Sequence, residues 1–415
     1  MTRPAPGPLK SVDAHLADVL SAVQPLGPLE LQLLDAHGCV LAEDVSSPVP
    51  LPPFDNSGMD GYAVRRADVR DANPLTPMTL PVAGDIAAGS VATSPLPPGG
   101  CMRIMTGAKL PAEADAIVPL EWTDGGESTV TISRAPAVGQ HVRRAGEEVA
   151  AGDTVLSAGT FLGAAQLGLL AAVGRDAVRV RPRPRIVVIS TGSELAEVGG
   201  ELEDGQIYDS NSYALTAAAR EAGATPYRIG IVPDDPDAFE DTLEDQLIRA
   251  DAVITSGGVS VGAYDVVKEV LSRLGTVRFE RVAMQPGMPQ GFGTLGAESV
   301  PFFGLPGNPV SAFVSFEVFV RPALRRMLGA DPLTRPQVEA TLTAPVRSPA
   351  GKRAYLRARL ALRDGQRVVT PVGGAGSHLV AGLAAANALI VVPEDVTDVA
   401  AGAVVSVLLL ERRQR

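Results

Sequence analysis

Apolar residues recur at helical spacing through 12–24, "VDAHLADVLSAVQ", and stop near Pro25, which predicts one amphipathic helix. From 28 to 51 the pattern turns extended, and "SSPVPLPPF" (46–54) is a proline-rich link that resists helix. Short apolar runs follow through 55–142 ("MTLPVAG", "CMRIMTG", "DAIVPL", "STVTIS"), separated by Gly, Pro and Asp, the mark of a small all-β module. "GTFLGAAQLGLLAAVG" (159–174) reads as a helix or buried segment, and "RPRPR" (181–185) as a hinge. From 185 to 330 near-continuous apolar strands alternate with amphipathic helices: "RIVVIS", "GQIYDS", "PYRIGIVPDD", "DAVITSGG" and "PFFGLPGNP" each lead into a polar turn or helix. That alternation predicts a mostly parallel sheet covered on both faces. The stretch 336–415 returns to β character in "QRVVTPV", "ALIVVP" and "AVVSVLLL", a separate small barrel or sandwich.

Composition narrows the picture. A chain of 415 residues with 46% hydrophobic content can bury several cores, so a multidomain globular protein is expected. A net charge of −11 argues against nucleic acid or an anionic membrane as the main partner. Only four of the 36 basic residues are lysines (Lys10, Lys109, Lys268, Lys352), so any anion site must rely on arginine or backbone. Cys39 and Cys101 form neither metal-ligand spacing nor a disulfide framework, and His15, His37, His141 and His378 are scattered and read as ordinary residues. Residues 1–10 lack the order of a signal peptide and no long uncharged apolar run suggests a span, so the expected compartment is cytoplasmic.

In an open α/β sheet, ligands bind outside the carboxyl ends of the strands. Here those ends carry "STGSE" (190–194), "YDSN" (208–211), "PDD" (233–235), "SGGVSVGAYD" (256–265) and "PGNP" (306–309), expected to gather on one edge. The loop 256–262 offers Ser256, Ser260 and N–H groups opened by Gly257 and Gly258, but Gly262 is followed by Ala263 and Tyr264, so the Walker A pattern fails. Asn308 and Pro309 suit the cap and first position of a helix. Glu194, Asp209, Asp234, Asp235 and Asp265 fall at the same strand ends. Carboxylates beside a phosphate repel it unless a hard cation lies between, which points to Mg²⁺. A third cluster, "PPFDNSGMDGYAV" (52–64) with "RIMTGA" (103–108), crowds Asp55, Asn56, Ser57, Asp60 and Thr106 around glycines, as either Asx turns or a ligand loop.

The ordered run "FDNSGMDGYAV", "RIMTGA", "STGSEL", "GQIYDSN", "TSGGVSVGAYD" and "GLPGNPVSA" resembles the molybdopterin molybdenumtransferases, the insertase family that includes the gephyrin E domain. The likeness spans about 10–410. The resemblance implies a multidomain α/β plus β fold: an α/β molybdopterin-binding domain (8–26 and 183–331), an extended mixed domain (27–50 and 144–182), a β module (51–143) and a C-terminal β-barrel-like domain (332–415). It implies insertion of molybdenum from molybdate into adenylated molybdopterin with Mg²⁺-dependent release of AMP, by a homodimer. The adenylyltransferase that shares the Ser-Gly-Gly-Val-Ser loop, and apo-molybdoenzymes, are the implied protein partners. Carried over by position, Asp60 and Thr106 would come from the partner subunit, Glu194 would lie near the pterin or phosphate, and Asp234 and Asp265 would hold Mg²⁺, Asp265 also serving catalysis. Asp209, Asn211, Ser256, Gly257, Gly258, Ser260, Gly262, Pro306, Gly307, Asn308 and Pro309 would line the substrate pocket, with Arg357 and Ser377 at molybdate. Four positions depart from the pattern: Ser193 stands for a carboxylate, Glu148 for an aspartate, and Gln285 and Met288 for lysines; the loss of the two lysines is expected to weaken molybdate binding or change its geometry. Adenylyl transfer to molybdopterin, or a non-catalytic scaffold of the gephyrin E type, are the alternative readings.

Overall fold

The computed structural model of the chain describes residues 8–233, 235–257, 270–271 and 277–410. These form two compact units, one of residues 8–30, 38–42 and 179–410 and one of residues 31–37 and 43–178. Among the described residues no helix is long and apolar enough to cross a membrane.

The larger unit is built on a six-stranded sheet in the order Thr225–Val232, Arg185–Thr191, Ala252–Ser256, Val300–Leu305, Pro289–Leu295, Arg278–Arg281. The first four strands are mutually parallel, whereas Pro289–Leu295 runs against Val300–Leu305 and Arg278–Arg281 against Pro289–Leu295. The parallel part is what the apolar runs predict, because both faces are buried. Ile186, Val188, Ile254 and Leu305 pack on Val19 of the Val12–Ala22 helix and on Leu215 and Ala219 of Asn211–Glu221. Val187, Ile189, Val253 and Phe302 pack on Phe239 and Leu243 of Pro236–Leu247. The antiparallel edge is an addition to the sequence reading. Its strand Pro289–Leu295 carries two glycines and a proline, which lower strand propensity and disguise it as a loop.

The helix after Val300–Leu305 is not uniform. Pro309–Ser315 and Arg321–Leu328 are α-helical, and between them Phe316–Val320 widens to π geometry. Pro322 has no N–H to give the carbonyl four residues back, and the Arg321 N–H donates to the Phe316 carbonyl, five residues back.

Beyond this helix the chain closes a barrel. Arg353–Arg363, Gln366–Pro371, Gln337–Leu342, Val404–Leu409 and Ala388–Val392 pair in that order, and Ala388–Val392 pairs back onto Arg353–Arg363. Its interior alternates small and branched residues, Ala354, Ala358 and Ala388 with Ile390, Val369 and Val407, as a narrow barrel requires. Met284–Gln285 adds to the barrel as a parallel strand beside Arg353 and Ala354. A joint core of Met284, Val310, Val314, Phe319, Tyr355, Leu389 and Leu408 welds the barrel to the α/β layer.

The smaller unit contains a five-stranded sheet in the order Ala116–Pro119, Gly61–Val64, Cys101–Ile104, Met78–Ile86, Thr129–Ile132. Tyr62, Val118 and Val130 form one side of its core and Ala63, Ile104 and Ile117 the other. Gly61 is required by close approach, since a Cβ there would lie 2.0 Å from the Val118 carbonyl oxygen. Residues 164–172 form the helix expected within 159–174.

Two ion networks fix the larger unit and yield measurable consequences. Arg335, 6% exposed, grips Glu317, 2% exposed, through bonds of 2.8 and 2.9 Å, and reaches Glu221 at 3.0 Å. Arg335→Met leaves the Glu317 carboxylate buried without this partner, and urea unfolding should show a loss of about 3–5 kcal/mol, largely recovered in Arg335→Met/Glu317→Gln. Glu280 accepts from Lys10 at 2.6 Å and meets His15 Nδ1 at 3.2 Å. Burial works to raise its pKa, but Lys10 and His15 outweigh it and hold Glu280 below its ordinary 4.5. A carboxyl depressed in the folded state stabilises above its unfolded pKa and loses that contribution as pH falls through the folded value. The unfolding free-energy difference between the wild type and Glu280→Gln should therefore be constant near neutrality and shrink below about pH 4.5; a difference unchanged down to pH 3 would refute the assignment.

Candidate functional site

Three of the four parallel strands, Arg185–Thr191, Ala252–Ser256 and Val300–Leu305, end at a cleft of about 640 Å³. Thr191 and Glu194 line it from the start of the connection between Arg185–Thr191 and the Asn211–Glu221 helix (the first loop), Asp209 and Asn211 from the end of that same connection (the second), Ser256 and Gly257 from the end of Ala252–Ser256 (the third), and 306–309 from the end of Val300–Leu305 (the fourth). Nine expected residues thus meet in one place: Glu194, Asp209, Asn211, Ser256, Gly257, Pro306, Gly307, Asn308 and Pro309. Gly258, Ser260, Gly262, Asp234 and Asp265 lie outside the described residues, as does the helix expected after the glycine loop apart from its helical residues 270 and 271.

Each loop is shaped by a specific bond. Gly257 has φ +97°, and a Cβ there would come within 2.5 Å of the Thr191 carbonyl oxygen; its N–H donates to the Leu305 carbonyl at 3.1 Å. Only glycine lets the third loop pass between the first and fourth. Asn211 donates from Nδ2 to Ser256 Oγ at 2.6 Å and to the Gly307 carbonyl at 2.6 Å, fastening the third and fourth loops to the start of the Asn211–Glu221 helix. Asn308 stands at the cap of the helix that begins at Pro309, yet its side chain makes no capping hydrogen bond and is exposed in the cleft.

Two carboxylates behave differently from the expectation of five converging ligands. Asp235 caps the Pro236–Leu247 helix, accepting from the Ala238 N–H at 2.8 Å, and does not line the cleft. Asp209 does line it, but both oxygens are engaged by Ser212, at 3.0 Å to N and 2.5 Å to Oγ, and Arg228 stands 3.9 Å away. These bonds hold the second loop. Glu194, folded back over Gly192, is the described cleft carboxylate left to face a ligand. Among the described residues no group of three or more His, Cys, Asp or Glu side chains is arranged to hold a metal ion.

A second, smaller cavity of about 200 Å³ adjoins the first across the start of the Pro309 helix and the loop 373–378. Arg357, Gln285, Val310 and Ala375 line it, while His378 lines the larger cleft. Arg357 is 5% exposed, and its guanidinium is aimed by two carbonyls, Leu379 at 3.0 Å and Gly374. Burial pulls its pKa down, with no carboxylate among the described residues acting to raise it. A carbonyl-anchored guanidinium in a small hollow is a fitting receptor for a compact oxyanion. Ser377, expected beside Arg357, is not among the residues that line either cavity; its carbonyl accepts from the Val310 N–H at 3.0 Å. Gln285 does flank Arg357, as a lysine replacement near an anion would, whereas Met288 turns away and its sulfur accepts from Arg281 at 3.7 Å. His378, Tyr208 and Thr191 are cleft residues that the sequence reading passed over.

In the smaller unit, Asp60 and Thr106 sit at the facing ends of Gly61–Val64 and Cys101–Ile104, paired with Gly61 opposite Ile104. Asp60 accepts from Thr106 N at 2.6 Å and Thr106 Oγ1 at 2.7 Å, and both residues are exposed. Those bonds hold the Asp60 carboxyl below the usual aspartate range. The buried thiols take no part: burial pushes Cys101 up to about 12 and also raises Cys39.

Known proteins share this architecture from end to end. Residues 10–174 match the MoeA N-terminal region (domains I and II), 187–326 a probable molybdopterin binding domain, and 339–410 the MoeA C-terminal region (domain IV). Molybdopterin molybdenumtransferase 1 of Mycobacterium tuberculosis is 45% identical, across 97% of this chain and 99% of the relative. Molybdopterin molybdenumtransferase 2 of the same organism is 49% identical, across 95% and 98%. The crystal structure of the molybdopterin biosynthesis MoeA protein from Pyrococcus horikoshii superposes with a TM-score of 0.79 at 32% identity, covering 98% of this chain and 100% of that one. With identities of this size running through nearly the whole of both sequences, the chain belongs to the molybdopterin molybdenumtransferase (MoeA) family.

Proposed function

We propose that this enzyme inserts molybdenum from molybdate into adenylated molybdopterin, releasing AMP. The observation that carries the reading is the adjacency of two receptors in one unit: a cleft large enough for a nucleotide-linked pterin, and beside it a hollow with a single anchored guanidinium. Ser256, the Gly257 turn and Asn308 hold the phosphate end; Arg357 and Ser377 hold molybdate against it. Cleavage of the adenylate breaks one P–O bond as an oxygen of water or molybdate attacks phosphorus, and AMP departs. Donors fixed before the reaction stabilise the charge on the phosphoryl oxygens without reorganising.

Mg²⁺ suits the oxygen donors of the cleft, Glu194 and Ser256 among them. Asp234 and Asp265 would hold the ion, and when bound it neutralises phosphate charge. Asp60 and Thr106, an exposed pair of fixed geometry, are suited to completing the cleft of a partner subunit in a homodimer. A protein partner that delivers the adenylated substrate, apo-molybdoenzymes that take the product, and a cytoplasmic setting complete the reading.

Incubation of the protein with adenylated molybdopterin, Mg²⁺ and molybdate, without ATP, should release AMP and yield a product that reconstitutes an apo-molybdoenzyme. No AMP above a protein-free control would sink the proposal, and strict ATP dependence would replace it with adenylyl transfer. Arg357→Lys cannot reach both the Gly374 and Leu379 carbonyls with a fixed fork. It should raise the molybdate concentration for half-maximal AMP release by about tenfold while leaving binding of the adenylated pterin near wild type; an unchanged molybdate requirement would remove Arg357 from the anion site.

A further inference from the structure

We propose that Asn211 is a positioning residue that sets the direction of the Ser256 hydroxyl proton, making Ser256 a dedicated hydrogen-bond donor to the substrate. The inference deepens the reading above and rests on it. The Gly307 carbonyl can only accept, so the end of the Asn211 side chain that meets it, at 2.6 Å, must be the amide nitrogen. That same NH₂ group has one hydrogen left, and Ser256 Oγ lies 2.6 Å away. Both hydrogens are thereby assigned, and Ser256 Oγ is an acceptor in this contact.

A serine hydroxyl has one proton and two lone pairs. With a lone pair turned to Asn211, the proton points elsewhere. Ser256 is 2% exposed, lines the cleft, and donates to no other group among the described residues. A buried donor with no acceptor is costly, and here an acceptor arrives with the substrate. Without Asn211, the hydroxyl would rotate between donating and accepting, and an oxygen-rich ligand would have to select one orientation. Asn211 removes that choice before binding. The group recognised is an anionic oxygen, such as a phosphoryl oxygen of the adenylated pterin.

The test is a double-mutant cycle on binding of adenylated molybdopterin with molybdate omitted, so that variants without turnover can be measured. Asn211→Ala and Ser256→Ala should each raise Kd by about tenfold, and the double variant should be no worse than the weaker single variant. Asn211→Asp puts an acceptor where the donor was, captures the Ser256 proton and turns it from the cleft. Its loss should exceed that of Asn211→Ala, and the excess should shrink in the Ser256→Ala background to the part that comes from the added negative charge. If Asn211 merely tethers the loops, the losses add, and the excess from Asp, arising from repulsion by the Gly307 carbonyl and by the anionic substrate, is the same with and without Ser256. Either result would overturn the inference. No binding by the unsubstituted protein would instead overturn the insertase reading itself.

Discussion

Parallel strands all leave a sheet by the same edge, so their final N–H and C=O groups and the turns beyond them must be satisfied within one small region. In this protein the turns satisfy one another. The Gly257 N–H reaches Leu305, Asn211 reaches Gly307, and Asp209 closes on Ser212. Every one of these bonds crosses or closes a loop, so the cleft has its shape before any ligand enters. The functional consequence lies in what the cross-bonding leaves over: the Ser256 proton, the Asn308 amide and the Glu194 carboxylate. A rigid frame with a few uncommitted donors can hold charged oxygens without reorganisation, which is the condition for electrostatic stabilisation of a reacting phosphate.

The second cavity depends on the joint core of the α/β layer and the barrel. Met284, Val310, Phe319, Tyr355 and Leu389 bury one another across that junction, so the barrel wall cannot shift without opening apolar surface. Arg357 and Tyr355 are on the same barrel strand with opposite assignments. Tyr355 faces the joint core, while the Arg357 guanidinium is taken by the carbonyls of residues 374 and 379. The addition of Met284–Gln285 to that strand brings Gln285 beside the arginine. Packing alone therefore decides which side chains can meet a small anion there.

Much of this was legible in the sequence, and the exceptions have physical causes. "RIVVIS" and "DAVITS" carry consecutive apolar residues, 186–189 and 252–254, because both faces of a parallel sheet are covered, and the strand-end rule then locates the cleft. Nothing in the sequence distinguishes a carboxylate that caps a helix from one that meets a ligand. Asp235 precedes Pro236 and Asp209 stands three residues before Ser212, spacings that favour local hydrogen bonds, so both are taken up by their own backbone. The strand Pro289–Leu295 escaped notice because glycine and proline are ordinarily turn formers, yet Gly291 gives the Phe279 ring room to lie against the strand. His378 gave no signal of its own, since its place in the cleft wall comes from the loop that follows the barrel strand.

The scarcity of lysine sharpens the electrostatic logic. Among the described residues lining the larger cleft there is no lysine or arginine, and its carboxylates, Glu194 and the Ser212-bound Asp209, oppose an anion. Neutral donors alone repay only part of the cost of stripping water from a multiply charged phosphate. The hard oxygens of Glu194 and the hydroxyls suit a cation that prefers oxygen, as the proposed function requires. The Arg357 hollow is built differently, with a permanent charge held still by neutral carbonyls and, among the described residues, no carboxylate to neutralise it. An arginine paired with an acid would have to exchange that partner for the incoming anion. Among the described residues Arg357 has no such partner to exchange, so its full charge is available to a small oxyanion even with glutamine as its neighbour.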